Sequence, residues 1–299
     1  MSASRSVFVS PTSVAGALEE IASGEATVLA GGTSVALLIG QRLIEPSKLV
    51  HVARIPELRS ISFDTPRGEL RIGAAVTLAE IAGHPEIRAA LPSLAYAAGV
   101  VGNPRVRSVA TVGGALAHGD PRQDLPPVLV SLDAMVTLSG PGGERILPAA
   151  GLATGFMETC VAPDELITAV VIPVTKGQRA CYFRFTPQSV ADYPTVGVAA
   201  CVSLAADGTI ADAKVALAGV ASSVLSVDAA GLLGGVSADN FDFDSIVGEV
   251  ADLAAASAEP IDDRLGSATY KRAMISVWTR RALLACAGGG RAPNRLCGP

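Results

Sequence analysis

The chain of 299 residues is 49% apolar and 17% charged, which excludes a disordered polymer and gives length for about two domains of ~150 residues. Its 28 Asp and Glu against 23 Lys and Arg leave a net charge of −5, and the only basic runs are pairs such as Lys271-Arg272 and Arg280-Arg281, so a nucleic-acid partner is not expected. No stretch approaches the roughly 18 consecutive apolar residues of a membrane span, and no basic-then-apolar leader opens the chain, so a cytoplasmic protein without a membrane span is expected.

In chain order, Thr12 to Ser23 reads as a helix, Thr27 to Ala30 as a strand, Ser34 to Ile39 as a second helix ended by Gly40, and Lys48 to Val52 as a strand. Alternation at Ile61/Phe63 and Leu70/Ile72 across Pro66-Arg67-Gly68 predicts a hairpin, and Thr77-Leu78-Ala79-Glu80 matches a capping box. Pro85 to Gly99 fits one longer helix. A Gly-rich stretch follows, then an apolar helix starting at Pro126-Pro127, a strand near Met135 to Leu138 and a turn at Gly140 to Gly143. The last third predicts an antiparallel sheet from Cys181 to Phe185, Val196 to Leu204 and Ala213 to Leu217, then helices at Ser226 to Leu233, Phe243 to Ala256 and Ala268 to Ala285. The expected organisation is a domain over 1–178, with subdomains of about 1–56 and 57–178, an α+β domain over 179–287, and a loose tail over 288–299.

Cys160, Cys181, Cys201, Cys286 and Cys297 include no close pair, so neither an iron–sulfur cluster nor structural zinc is expected, and His51, His84 and His118 are too dispersed for a metal set. Chemistry concentrates in two glycine pairs. Ala30-Gly31-Gly32-Thr33-Ser34 leaves a strand and enters a helix, where unpaired backbone N–H groups and two hydroxyls suit a diphosphate. Thr111-Val112-Gly113-Gly114 repeats that logic, with His118 as a further polar end. Each pair taken alone reads first as a tight turn, and neither is a Rossmann or P-loop fingerprint. Gly32-Thr33-Ser34-Val35-Ala36 is a near miss to a nucleophile elbow, which keeps an esterase-like hydrolase using Ser34 as an alternative, beside a binding module for CoA or another nucleotide.

Together with the run Ala117-His118-Gly119-Asp120-Pro121-Arg122-Gln123-Asp124, these segments resemble the flavin-binding subunit of the molybdenum hydroxylases, the family of the carbon monoxide dehydrogenase medium subunit and of the xanthine dehydrogenase FAD domain. Gly155-Phe156 through Ile172-Pro173, Asp192-Tyr193-Pro194-Thr195-Val196 and Ser267 through Ala282 extend the resemblance over nearly the whole chain. The resemblance implies an α+β fold of the vanillyl-alcohol-oxidase type, with two N-terminal α/β subdomains gripping FAD and a C-terminal antiparallel sheet with helices covering it. It implies cofactor-binding roles for Ala30, Gly31, Gly32, Thr33, Ser34, Thr111, Gly113, Gly114, His118, Asp120, Asp124 and Tyr193, with Asp124 near the adenosine/ribityl part and Tyr193 beside the isoalloxazine. It further implies an oxidoreductase subunit with no catalytic acid or base and no metal of its own. The implied partners are a molybdopterin-containing large subunit and a small subunit with 2Fe-2S clusters, in a dimer of heterotrimers; a stand-alone FAD oxidoreductase is the other flavoprotein reading.

Overall fold

The computed structural model describes residues 6–187, 189 and 192–288; the tail expected beyond 288 and Cys297 lie outside the described residues. The first unit is built from β1 (Val7–Val9), α1 (Val14–Ile21), β2 (Ala26–Leu29), α2 (Val35–Gly40) and β3 (Lys48–His51), with the strands parallel in the order β1-β3-β2. Ser13 starts α1 by accepting the Gly16 N–H at 3.1 Å, and Ala17 and Ile21 lie one helical turn apart against Val50, Ile55 and Leu58. Strand β1 had no signal in the sequence, being three residues long and largely exposed.

The second unit contains β4 (Ile61–Asp64), β5 (Glu69–Gly73), α3 (Leu78–Gly83), α4 (Pro85–Ala90), α5 (Pro92–Val100), α6 (Pro104–Arg107), α7 (Val112–His118), α8 (Leu125–Ser131), β6 (Met135–Gly140), β7 (Gly143–Pro148), β8 (Ala153–Gly155), β9 (Glu158–Thr159) and β10 (Leu166–Pro173). Five strands form an antiparallel sheet in the order β4-β5-β10-β6-β7. The capping box forms as expected: Thr77 Oγ1 accepts the Glu80 N–H at 3.2 Å, and Glu80 Oε2 accepts the Thr77 N–H at 2.8 Å. The single helix expected over Pro85 to Gly99 is two. Pro92 crowds the residue before it out of the helical region, and Leu91 sits at φ −132°, ψ 65° between α4 and α5.

The last unit contains β11 (Gln178–Phe185), β12 (Val196–Leu204), β13 (Ile210–Ala218), β14 (Leu225–Asp228), α9 (Ala230–Leu233), α10 (Phe243–Ser257) and α11 (Ala268–Ala287), its strands antiparallel in chain order. The helix expected from Ser226 begins instead as β14, where Val227 pairs with Val215, and turns helical only at Ala230. Period-two alternation divides β12 between two cores. Val196, Val198, Ala200 and Val202 pack with α10 and α11, while Ala199 and Cys201 face the second unit's core. Tyr182 on β11 and Ala216 on β13 join that same core, so the C-terminal sheet is packed on both faces and held against the second unit. The architecture is the expected α+β arrangement.

Candidate functional site

Between β2 and α2 the chain turns through Ala30 to Ser34. Gly32 has φ +73°, the left-handed region where a Cβ is penalised. The Gly32 and Ser34 carbonyls accept the first helical bonds of α2, from Ala36 at 2.9 Å and Leu38 at 3.0 Å. Among the described residues the N–H groups of Gly31, Gly32, Thr33 and Ser34 donate no hydrogen bond, and the Ser34 hydroxyl makes no cap bond. Four adjacent free donors on a partly exposed turn are what an anionic group requires.

The second glycine pair is built differently. Residues 74–78 run beside 110–113 like a short ladder, with Leu78 N–H bonding Ala110 O at 2.8 Å, Val112 N–H bonding Val76 O at 3.1 Å and Gly113 N–H bonding Ala74 O at 2.9 Å. Thr111 is buried and caps α7, its Oγ1 accepting the Gly114 N–H at 3.1 Å. Gly113 is buried against Ala74, whose Cβ would lie 2.6 Å from a Cβ added at Gly113. Gly114 is exposed, so its missing side chain leaves open surface at the start of α7. At the other end of α7, Gly119 takes the left-handed conformation at φ +65°.

The two segments meet at Gly31. A Cβ there would lie 1.8 Å from the Val109 carbonyl oxygen and 2.9 Å from the Ala110 nitrogen, so the first turn packs backbone to backbone on the segment leading into Thr111. The turn of free N–H donors is thus held against the segment that leads into the second glycine pair, where Gly114 exposes bare backbone at the start of α7. Those free donors fit a cofactor diphosphate.

At the end of α7, His118 is half-buried, and burial lowers its pKa from the ordinary histidine value while Asp120 opposes the shift. Asp120 is buried and accepts Arg122 Nε and Nη2 at 3.2 Å each and the Arg122 N–H at 2.9 Å. The Arg122 guanidinium lies 5.0 Å from the centroid of the Tyr193 ring. His118, Asp120 and Tyr193 therefore form a second group, joined through Arg122. Asp124 stands apart. It is buried, and its Oδ1 accepts the Tyr182 hydroxyl at 2.8 Å and Arg184 Nε at 2.7 Å. Burial raises the Asp124 carboxyl, against the pull of Arg184 and the Tyr182 hydroxyl. Burial, with Asp124 adding to it, holds the Tyr182 phenol well above its ordinary value.

Arg122, Tyr182 and Arg184 were not among the expected site residues. Arg122 lies inside the recognised run, where its position between two aspartates was the available signal. Tyr182 and Arg184 carry no local signal, because their partner Asp124 is about sixty residues earlier. No histidine bonds Ser34 among the described residues; His51 Nδ1 instead faces Ser10 Oγ at 3.3 Å, so no nucleophile–base pair of the esterase kind is formed at Ser34.

An α+β chain in which a turn of free N–H donors packs on the segment leading into a second glycine pair has the architecture of an FAD-binding flavoprotein. Residues 3–175 match the FAD binding domain in molybdopterin dehydrogenase, and residues 181–286 match the CO dehydrogenase flavoprotein C-terminal domain. The chain belongs to this family of FAD-binding subunits of molybdopterin dehydrogenases. It is 32% identical over 261 residues to the carbon monoxide dehydrogenase medium chain of Hydrogenophaga pseudoflava, covering 87% of this chain and 88% of that one. It is 31% identical over 281 residues to the nicotine 6-hydroxylase medium subunit of Paenarthrobacter nicotinovorans, covering 93% and 95%. Carbon monoxide dehydrogenase from Hydrogenophaga pseudoflava superposes with a TM-score of 0.88 at 32% identity, over 96% of this chain and 98% of that one. No helix among the described residues is long and apolar enough to cross a membrane.

Proposed function

We propose that this chain is the FAD subunit of a cytoplasmic multi-subunit molybdenum hydroxylase. In this reading a molybdopterin-containing large subunit oxidises an organic substrate, a small subunit with 2Fe-2S clusters relays the electrons, and this chain passes them to an external acceptor, in a dimer of heterotrimers. The observation that supports the FAD assignment is the turn of free N–H groups at Gly31 to Ser34, packed through Gly31 on Val109 and Ala110, the residues that lead into the second glycine segment. The multi-subunit assignment is supported by relatives named as medium chains or subunits and matched over nearly their whole length.

When bound, FAD supplies the acceptance and release of electrons that no side chain provides. The residues of this chain hold and surround it. The four free N–H groups offset the diphosphate charge, Gly32 supplies the turn they need, and Gly114 leaves room for close approach. His118 and Asp120 stand further along the same segment. Tyr193, seated under Arg122, forms an aromatic wall that shields one flavin face from water. No residue is assigned as a general acid or base.

Co-expression of the chain with its two proposed partners tests the reading. The expected product is a yellow complex of three different subunits that releases FAD, and not FMN, on denaturation. A colourless protein that cannot be loaded with FAD overturns it, and a strictly monomeric, substrate-competent flavoprotein overturns the multi-subunit part.

A further inference from the structure

Tyr193 lies between β11 and β12, outside regular structure, and is 41% exposed. A ring in such a place is ordinarily free to reorient, yet two arginines engage it and the residue before it. Arg122 covers the ring at 5.0 Å, and the Arg122 guanidinium is itself fixed by the buried Asp120 through two side-chain bonds. Arg184, buried on β11, donates Nη2 to the carbonyl of Asp192 and Nε to Asp124 Oδ1. The Tyr182 hydroxyl completes Asp124 Oδ1 from the same strand. The neck of the segment is closed by the Thr195 N–H on Phe185 O at 2.8 Å.

We propose that the run Asp120-Pro121-Arg122-Gln123-Asp124 is a two-point clamp on Tyr193: Asp120 acts through Arg122 on the ring, and Asp124 acts through Arg184 on the backbone before it. Arg122 and Arg184 are then positioning residues for the aromatic wall of the flavin site, an assignment that rests on the FAD reading above. A guanidinium is a planar fork of fixed donors, so a buried carboxylate that takes part of the fork fixes the direction of the rest. The clamp also couples two units of the fold. Asp120 to Asp124 link α7 to α8 in the second unit, while Arg184 and Tyr193 belong to the last, so seating the last unit on the second and setting the wall are one event.

The test uses the assembled complex and compares Arg122→Gln, Tyr193→Ala and the double variant. Arg122→Gln is expected to keep wild-type FAD content, with a lowered melting temperature because the buried Asp120 loses its ion pair, while shifting the flavin absorption band and reduction potential in the same direction as Tyr193→Ala. The double variant should shift no further than Tyr193→Ala alone, and Arg122→Lys should restore only part of the wild-type behaviour, since it keeps charge but loses the planar fork. Arg184→Gln should shift the flavin in the same direction. The clamp is overturned if Arg122→Gln leaves the flavin unmoved, if its shift persists in full without Tyr193, or if FAD is lost at an unchanged melting temperature. Should the wild-type complex hold no FAD, the FAD reading fails and the clamp is tested on the phenol itself. Burial, with Asp120 adding to it, raises the Tyr193 pKa, and Arg122 is the cation opposing that rise. Arg122→Gln should therefore move the phenol's ionisation, read as wild type minus Tyr193→Phe, to higher pH, and an unmoved titration overturns the clamp.

Discussion

The two Gly-Gly pairs look interchangeable in the sequence and do opposite work in the fold. At Gly31-Gly32 the backbone donors are free and the glycines are needed for shape, one for a left-handed φ and one for a contact that admits no Cβ. At Gly113-Gly114 the donors are engaged, one by Ala74 O and the other by Thr111 Oγ1, and only the exposed face of Gly114 remains for a ligand. A glycine pair therefore identifies a ligand cradle only when the partners of its N–H groups are known. The first pair is a donor set; the second is fixed in place by its own hydrogen bonds.

The largest effect should come from Gly31→Ala, because its methyl would overlap the Val109 carbonyl at 1.8 Å and neither backbone can yield without separating the two segments. We expect loss of FAD retention and a destabilisation of about 3 kcal/mol, the upper part of the usual overpacking range. Flavin-to-protein absorbance and denaturant unfolding measure both, and a variant with full FAD and unchanged stability would break the contact that defines the site.

Within the second pair the comparison can be sharpened by one methyl at each position. Gly113→Ala meets Ala74 Cβ at 2.6 Å and Ala74 O at 2.8 Å, so it should cost about 1–3 kcal/mol by overpacking. Gly114→Ala adds an exposed methyl in the first turn of α7, 3.0 Å from Thr111 Oγ1, and should leave stability nearly unchanged or raise it by up to ~1 kcal/mol through helix propensity. FAD occupancy should show the reverse order once each value is normalised to folded protein. Equal FAD loss in both variants would mean that Gly114 is not approached by the cofactor more closely than Gly113 is.

Thr111→Ala should cost about 1 kcal/mol, since the Gly114 N–H loses its acceptor at a buried helix start. Thr111→Ser should recover most of that loss in thermal melts, because the hydroxyl and not the methyl supplies the cap.

Much of the fold was legible because its signals are local: the Thr77 box, the hairpin of β4 and β5, and the alternating β12. What failed were features decided elsewhere. The run Leu166 to Pro173 carries no alternation, and it proves to be β10, the middle strand of the five-stranded sheet, covered on both faces. Ser226 to Leu233 has a helical pattern, but pairing with β13 draws its first half into β14. The same division holds in the site. Ala30 to Ser34 and Thr111 to Gly114 announce themselves by glycine. The link of Asp124 to Tyr182 and Arg184 joins parts of the chain that no spacing rule connects, so the sequence carries no sign of it, and the resemblance implies a cofactor contact for Asp124 and not this link.

The smallest expected effect concerns His118, at the end of α7. Burial lowers its pKa from 6.5, with the Asp120 carboxylate opposing and Arg122 assisting. The folded chain therefore binds the proton less readily than the unfolded chain. The resulting stability is fully present above pH 6.5 and is lost as pH falls through the lower folded value. The effect is modest because the ring is half-exposed and solvent screens part of it. His118→Gln should remove this part of the acid-induced loss, seen as a flatter melting temperature against pH below 6.5. FAD makes the comparison more informative: a diphosphate reaching His118 would favour the imidazolium and offset the burial. The FAD-loaded protein should then lose less stability toward acid than the FAD-free protein, and the His118→Gln variant should show no such difference. Identical acid profiles for loaded and unloaded wild type would remove His118 from the cradle and confine the anion site to Gly31 through Ser34 and Gly114.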